Sequence, residues 1–160
     1  MTRRFTAARG IAAAAAVVLG LTVSGCSAPS DDSIAASLEA HVAKELPDVN
    51  GAHVSLSYDG PQRAILLILY VKTDDASVVA KDVSIGMRQM WKDAPFTPAS
   101  VSVGAVKKTK PARPTNYEAT SIDPAAIARA LSLPARDVSD TWVHVAGPEL
   151  ANRYGARSTP

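Results

Sequence analysis

The sequence feature that most constrains the fold is an apolar run, AILLILYV at residues 64–71, in the middle of a 160-residue chain. Successive side chains of a β-strand point to opposite faces of a sheet, so a run of this kind places apolar groups on both faces. Such strands are found where both faces of a sheet are covered. Residues 64–71 are therefore predicted to form a central strand with packed elements above and below it.

The segment before this run has the alternation of a strand with one buried face. Val54, Leu56 and Tyr58 alternate with polar residues at the positions between them, which is the two-residue period of a half-buried strand. The tripeptide DGP at residues 59–61 is a turn sequence. The two strands are therefore predicted to form a hairpin.

Two amphipathic helices are predicted on either side of the hairpin in the chain. The first is capped by residues 31–33 and ends before Pro47, and the second begins after Asp74 or Asp75 and ends at residues 93–95. Their apolar side chains recur at the spacing of one helix face. These side chains are Ile34, Leu38, Val42 and Leu46 in the first helix, and Val79, Val83, Met87, Met90 and Trp91 in the second.

A third strand is predicted after the second helix, because Val101, Val103 and Ala105 again alternate with small or polar residues. A strand, a helix and a strand in succession form a right-handed crossover that sets the two strands parallel. The order helix-strand-strand-helix-strand over residues 33–106 is similar to that of the BON modules of bacterial envelope proteins, a likeness of topology alone. We therefore expect an α+β fold with a two-layer helix/sheet core.

The chain beyond this core begins with a basic loop at residues 107–115, which contains four basic residues and two prolines. Residues 116–155 are predicted to add a helix-strand-helix extension that packs on the core. Its first helix has an Asp-Pro start at residues 123–124. Residues 156–160 are expected to form a disordered tail.

The second face of the central strand, with Leu66, Ile68 and Tyr70, still needs a cover, because the two helices cover only one face. The candidates are the chain after Thr115, a ligand or a second subunit. The C-terminal extension is the most economical choice, since it supplies apolar groups from the same chain. Those groups are Ile127, Leu131, Trp142 and Leu150.

The N-terminal segment has the composition of an export signal. Residues 1–10 carry three arginines and no acid, and residues 11–23 are an uncharged, largely apolar run. The run ends in LTVSGC at residues 21–26, which resembles the lipobox of bacterial lipoproteins. In that class the signal peptide is cleaved before the cysteine, and the cysteine thiol carries a diacylglyceryl group. The resemblance implies a signal peptide at residues 1–25, a lipidated Cys26 and a short tether over residues 26–32.

The same segment is compatible with two other interpretations. An uncleaved membrane helix is possible in length, because residues 10–30 carry no charge, but serines and a proline interrupt the last third. A buried structural cysteine is the other, and the position of Cys26 at the cleavage point favours lipidation instead. The export route stays open, although Arg3-Arg4-Phe5 lacks the residue that a twin-arginine signal has between its arginines and phenylalanine.

The balance of charge argues against nucleic acid as a partner. The chain has 17 basic and 15 acidic residues, without the basic face or stripe that binds nucleic acid. Removal of residues 1–25 would leave 14 basic and 15 acidic residues, so the mature chain is close to neutral. Because Cys26 is the only cysteine, lipidation would leave none for a disulfide.

The residues that could carry catalysis or bind a metal are scattered. His41, His53 and His144 lie in different predicted elements, and none has a second ligand at metal-binding spacing. The closest acidic pair, Asp74 and Asp75, precedes a helix, where capping is the simpler role. No nucleophile elbow, glycine-rich phosphate loop or calcium loop is present in the sequence. We expect no metal, no catalytic site and no cofactor other than the covalent lipid.

The basic loop is the other candidate site. In a membrane-tethered domain, Lys107, Lys108, Lys110 and Arg113 would each gain about 1 kcal/mol from contact with anionic headgroups. The alternative is an ordinary solvated loop, which we favour because the acyl anchor already supplies the attachment.

These observations predict a lipid-anchored protein on the extracytoplasmic face of the cell membrane. Its domain is expected to be a non-catalytic module that binds or assembles with another envelope protein. The alternative is a carrier that holds a small apolar ligand or lipid between sheet and helices, and a third is an envelope enzyme with unrecognised residues. A cavity of several hundred cubic ångströms lined by apolar groups would favour the carrier, whereas a filled core would favour the module.

Overall fold

The computed structural model describes residues 28–116 and 122–157, which form four strands and four α-helices. The elements are α1 (Asp31–Glu45), β1 (Gly51–Asp59), β2 (Gln62–Val71), α2 (Ala76–Asp93), β3 (Ser100–Lys107), α3 (Pro124–Ala130), β4 (Val143–Ala146) and α4 (Gly147–Tyr154), with a 3-10 turn at Ala135–Asp137. The predicted α+β fold and its order of helices and strands are confirmed. The expected signal peptide and Cys26 lie outside the described residues.

The four strands form one sheet in the order β1-β2-β3-β4. β1 and β2 are antiparallel and close through a two-residue turn, where Gly60 has a φ of +59°, a left-handed value that glycine adopts without strain. β2 and β3 are parallel, with Leu67 beside Val103, and β4 returns antiparallel to β3, with Val145 beside Val101. The predicted hairpin and parallel crossover are confirmed, and β2 and β3 occupy the centre of the sheet.

The two long helices begin at side-chain caps, which supply acceptors for backbone N–H groups that have no partner within the helix. Asp75 caps α2 as predicted, and its carboxylate accepts from the N–H groups of Ser77 (2.8 Å) and Val78 (3.4 Å). α1 is capped by Ser30, whose hydroxyl accepts from the N–H of Ser33 at 3.2 Å. The helix therefore begins at residue 31, two residues before the predicted boundary, because the serine hydroxyl and not the acidic pair takes the cap position.

All four helices pack on the same face of the sheet and share one apolar core with it. β2 contributes Leu67 and Leu69 and α2 contributes Val83 and Met87, all fully buried. Gly86 allows α2 to approach the sheet closely, since a Cβ at this position would lie 2.7 Å from Leu67 Cδ2. Most of the buried apolar side chains belong to this layer, so it supplies most of the hydrophobic stabilisation.

The second face of the sheet has a much smaller apolar cluster. It consists of Ile68, Tyr70 and Val106, with Trp142 packed against them. Of the four residues expected to cover this face, only Trp142 does so, and the expectation is wrong for Ile127, Leu131 and Leu150, which belong to the helix-side core. The reason is that β4 adds two buried valines to the helix side, and α3 and α4 cover that addition.

The end of the described chain is fixed against the last turn of α2 and the loop that follows it. The indole Nε1 of Trp91 donates a hydrogen bond to the carbonyl of Gly155 at 2.9 Å. Arg157 donates to the carbonyl oxygens of Ala94 and Phe96, and its guanidinium lies over the Trp91 ring at 5.6 Å. Arg157 was expected in a disordered tail, and the structure docks it here instead.

Candidate binding surface

The basic loop, and not the C-terminal extension, is the segment that crosses the second face of the sheet. Residues 108–116, the crossing segment, leave the end of β3 and extend to the outer edge of β1. The Nζ of Lys108 lies 5.9 Å from the centre of the Tyr70 ring. Asn50 donates to the carbonyls of Lys108 (3.2 Å) and Val71 (3.3 Å), which fixes the start of the segment to the end of β2.

A cluster of polar side chains at the outer edge of β1 holds the rest of the crossing segment. One carboxylate oxygen of Glu39 accepts from the backbone N–H of Val54 (2.8 Å) and lies 2.9 Å from His53 Nδ1. Its other oxygen accepts from Lys110 Nζ at 2.6 Å. Asn116 Oδ1 lies 3.0 Å from His53 Nε2. We call Glu39, His53, Lys110 and Asn116 the Glu39 cluster.

The Glu39 cluster stabilises the ionised carboxylate. Partial burial by itself would raise the pKa of Glu39, but hydrogen bonds from Lys110, the Val54 N–H and His53 outweigh it, and the pKa lies below its ordinary value of 4.5. The same carboxylate occupies a backbone donor of β1, which is an edge strand. Unpaired donors along an edge strand invite pairing with other chains, so this contact protects part of the edge.

The structure gives the four basic residues of the predicted loop different surroundings. Lys107 pairs with Asp74 at 2.8 Å, and Lys110 pairs with Glu39. Lys108 contacts the Tyr70 ring, and Arg113 is exposed. Two of the four charges are therefore already matched by carboxylates on different elements of the same chain.

The half of the second face that the crossing segment leaves open is a shallow groove of about 260 Å³. Its lining residues include Ser55, Ser57, Leu66, Ser102, Asn116 and Trp142. On its β4 side, His144 Nδ1 lies 2.8 Å from Ser102 Oγ, at directly paired positions of β3 and β4. The groove therefore combines hydroxyl groups, an amide and an indole, and the His144 imidazole hydrogen-bonds to one of the lining serines.

The Ser102–His144 pair brings together the two residue types that act as nucleophile and base in a catalytic triad. Activation of a serine requires a base held by a third group and a donor site for the developing oxyanion. Within residues 28–116 and 122–157, no carboxylate hydrogen-bonds to His144. The pair also lies on the exposed side of the sheet and not in a closed pocket.

A second concave surface lies at the tip of the β1–β2 hairpin and has a volume of about 550 Å³. The guanidinium of Arg63 lies between the rings of Tyr58 (6.0 Å) and Phe96 (5.2 Å) and pairs with Asp31 at 3.2 Å. Tyr58 also donates a hydrogen bond from its hydroxyl to Asp31 at 2.9 Å. We call residues 58–63 and 96–98 the hairpin-tip surface. Its contacts with Asp31 join it to the first residue of α1.

A third surface depression, of about 600 Å³, lies at α3 and the 3-10 turn, away from both regions. Its floor is made by Ala128, Leu133 and Val138, and an ion pair between Asp123 and Arg129 at 3.6 Å lies at its rim. It is open to solvent and has no group of buried polar atoms directed into it. Nothing in its lining selects a particular ligand.

The three histidines occupy separate places, as expected from the sequence. His41 lies 3.4 Å from Asp93 and connects α1 to α2, while His53 and His144 belong to the two sites described above. The described part of the chain contains no group of three or more His, Cys, Asp or Glu residues that could hold a metal ion. In the same residues no helix has the length and hydropathy needed to cross a bilayer.

Sequence reasoning missed Glu39, Asn116 and Ser102. Each is an ordinary polar residue in its local sequence, and its partners lie between 14 and 71 residues away in the chain. Cys26, the residue expected to carry the lipid, lies outside the described residues. Comparison of the chain with protein-family models, curated proteins and solved structures found no match.

Proposed function

We propose that this protein is a membrane-anchored extracytoplasmic lipoprotein whose folded domain is a non-catalytic binding or assembly module of the cell envelope. The observation that carries the proposal is the position of Cys26. It ends the lipobox-like run at residues 21–26, and the first helix begins only five residues later, at Asp31.

The short spacing supports attachment of a folded domain close to the membrane surface. Five residues span at most about 17 Å when fully extended. Two acyl chains on one cysteine make an anchor that does not dissociate readily, because each buried methylene contributes about 0.8 kcal/mol. A domain attached in this way works beside the bilayer and meets partners that are also there.

The packing between sheet and helices supports a module rather than a carrier. Leu67 and Leu69 of β2, Met87 of α2, Ile127 of α3 and Leu150 of α4 all meet in this layer and are fully buried. Side chains thus occupy the space in which a carrier would hold an apolar ligand. The surfaces left for recognition are open and combine polar with apolar side chains, which is the composition of a surface that contacts another protein.

The anchor is tested by replacing Cys26 with Ser and labelling cells with palmitate. We expect the Cys26→Ser protein to stay uncleaved and unlabelled, while its domain melts at the same temperature as the parent. A Ser33→Ala variant, which keeps Cys26, is the matched control and should be labelled normally. Incorporation of palmitate into the Cys26→Ser protein would refute the lipoprotein proposal.

The binding role is tested by crosslinking the native lipoprotein in membranes and identifying what it captures. A Ser102→Arg variant fills the open groove with a large charged side chain and should lose a captured partner that docks there. A Lys81→Glu variant changes an exposed residue on the helix side and should keep it. Recovery of a bound small apolar molecule, with no captured protein, would support the carrier in its place.

A further inference from the structure

We propose that the hairpin-tip surface, residues 58–63 and 96–98, is the face of the domain that lies on the lipid bilayer, and that the basic loop points away from it. This inference rests on the proposed lipidation of Cys26. It assigns an orientation to the tethered domain, which the lipid anchor alone leaves undefined.

The start of α1, where the tether ends, is attached to the hairpin tip by side-chain contacts. The first residue of α1, Asp31, pairs with Arg63 at 3.2 Å and accepts a hydrogen bond from Tyr58 at 2.9 Å. Ser30 caps the same helix, so the tether ends at a fixed point on the domain. Because Asp31 is only five positions after Cys26, the start of α1, which contacts the hairpin tip, stays within about 17 Å of the acylated cysteine at every tilt of the domain.

The hairpin tip and the basic loop lie at opposite ends of the sheet. β2 runs away from the tip, from Arg63 to Val71, and Val71 is paired with Lys107 on the parallel strand β3. Eight residues of strand cover about 26 Å. The basic loop therefore starts at the end of the sheet opposite to the tether, farther from Asp31 than the tether is long.

The two ends of the sheet differ in the side chains that could contact a bilayer. Tyr58 is 60% exposed at the tip, beside Pro61 and the half-buried Phe96, and tyrosine suits the boundary between headgroups and acyl chains. At the far end, Lys107 and Lys110 are paired with Asp74 and Glu39. Charges already paired within the protein gain less from anionic headgroups than free ones, so two of the four basic residues at the far end contribute little attraction to the bilayer.

The test uses the acylated full-length protein in vesicles of phosphatidylcholine and phosphatidylglycerol. Lipidation occupies the only natural cysteine, so a single introduced cysteine can be labelled with a fluorophore and quenched by a nitroxide on the lipid headgroups. Gln62→Cys and Lys72→Cys form the matched pair, because both residues are exposed and they flank the same strand about 33 Å apart. Thr97→Cys and Asp48→Cys provide a second pair at the two ends, in loops.

We expect labels at positions 62 and 97 to be quenched several-fold more strongly than labels at 72 and 48, with no change on adding salt. Equal quenching in both pairs would overturn the proposal, and so would stronger quenching at the far end that salt abolishes, the result expected for a basic loop on anionic lipid. Absence of quenching at every position in protein that carries palmitate would also overturn it. Failure to incorporate palmitate would instead overturn the lipoprotein proposal on which it depends.

Discussion

The two faces of the sheet are held by different kinds of interaction. On the helix face, four helices bury a continuous layer of aliphatic side chains. On the second face, the apolar cluster has three buried residues in the described part of the chain, and a segment rich in lysine and proline crosses it, attached by side-chain hydrogen bonds. The helix face therefore supplies most of the hydrophobic stabilisation, and the second face depends more on polar contacts.

The difference also shows how a loop can serve as a cover. Apolar burial is not directional, so the helix face depends on volume and shape. The crossing segment depends on a few donors and acceptors placed at the edge of β1, and each has a defined partner. Loss of one such partner should loosen the segment locally, whereas loss of a core side chain should destabilise the whole domain.

The largest effect is expected from removing the chain after Arg113. This truncation deletes β4, α3 and α4, and with them Ile127 and Leu150 from the helix-side core, as well as Trp142 from the second face. Burial of each large side chain contributes roughly 1.5 to 3 kcal/mol, so the total is comparable to the stability of a domain. We expect an unstable or aggregated protein in size-exclusion chromatography and thermal unfolding. A monomer with an unchanged melting temperature would show that residues 114–160 are an independent appendage.

A smaller effect is expected from a pair of neighbouring leucines on opposite faces of β2. Leu67→Ala removes a fully buried side chain under α2 and should lower the free energy of unfolding by about 3 kcal/mol. Leu66→Ala, on the partly open second face, should cost less than about 1 kcal/mol. Urea denaturation measures both. Equal losses would contradict the division of stability between the two faces.

The Glu39 cluster should contribute less than the core. Glu39→Gln keeps the shape of the side chain but removes the charge that Lys110 and His53 contact, and it should cost about 1 kcal/mol because the group is partly exposed. Asp74→Asn removes the exposed pair with Lys107 and serves as the control, with no measurable change in urea denaturation. Hydrogen exchange should increase in residues 108–116 for Glu39→Gln alone. Unchanged exchange there would mean that the cluster does not hold the crossing segment.

The smallest effect concerns pH. Because the pKa of Glu39 lies below 4.5 in the folded protein, its carboxylate stabilises the fold fully above that value and loses the contribution as pH falls through the folded pKa. The difference in unfolding free energy between the parent and Glu39→Gln should therefore be constant above about pH 4.5 and shrink below it. Denaturation at a series of pH values gives this difference directly. A gap that widens in acid would contradict the assigned hydrogen bonds.

The central strand and the order of elements followed from the sequence because apolar periodicity reports burial directly. The run at residues 64–71 predicted a strand covered on both sides, and β2 has Leu67 facing the helices and Ile68 under the second-face cluster. Periodicity does not say which segment provides each cover. The chain after Thr115 was expected there, but the cover includes the crossing segment, whose contacts are polar and leave no apolar pattern in the sequence.

The residues of the candidate surfaces were harder to predict from the sequence. Glu39 looks like any solvated carboxylate of an amphipathic helix, and only the tertiary fold brings Lys110 to it from 71 residues away. Ser102 and His144 are likewise joined by the register of β3 against β4. Burial, hydrogen bonding and charge pairing over such distances are properties of the fold and not of local composition.

The docking of Arg157 also places the two described chain ends together. Arg157 contacts the carbonyl of Phe96, the Phe96 ring lies over Arg63, and Arg63 pairs with Asp31 at the start of α1. The first and last described residues therefore lie on the same side of the molecule, linked through Phe96 and Arg63. We expect a circularly permuted domain, with a linker from residue 157 to residue 28 and new termini between residues 72 and 73, to keep every strand and helix intact.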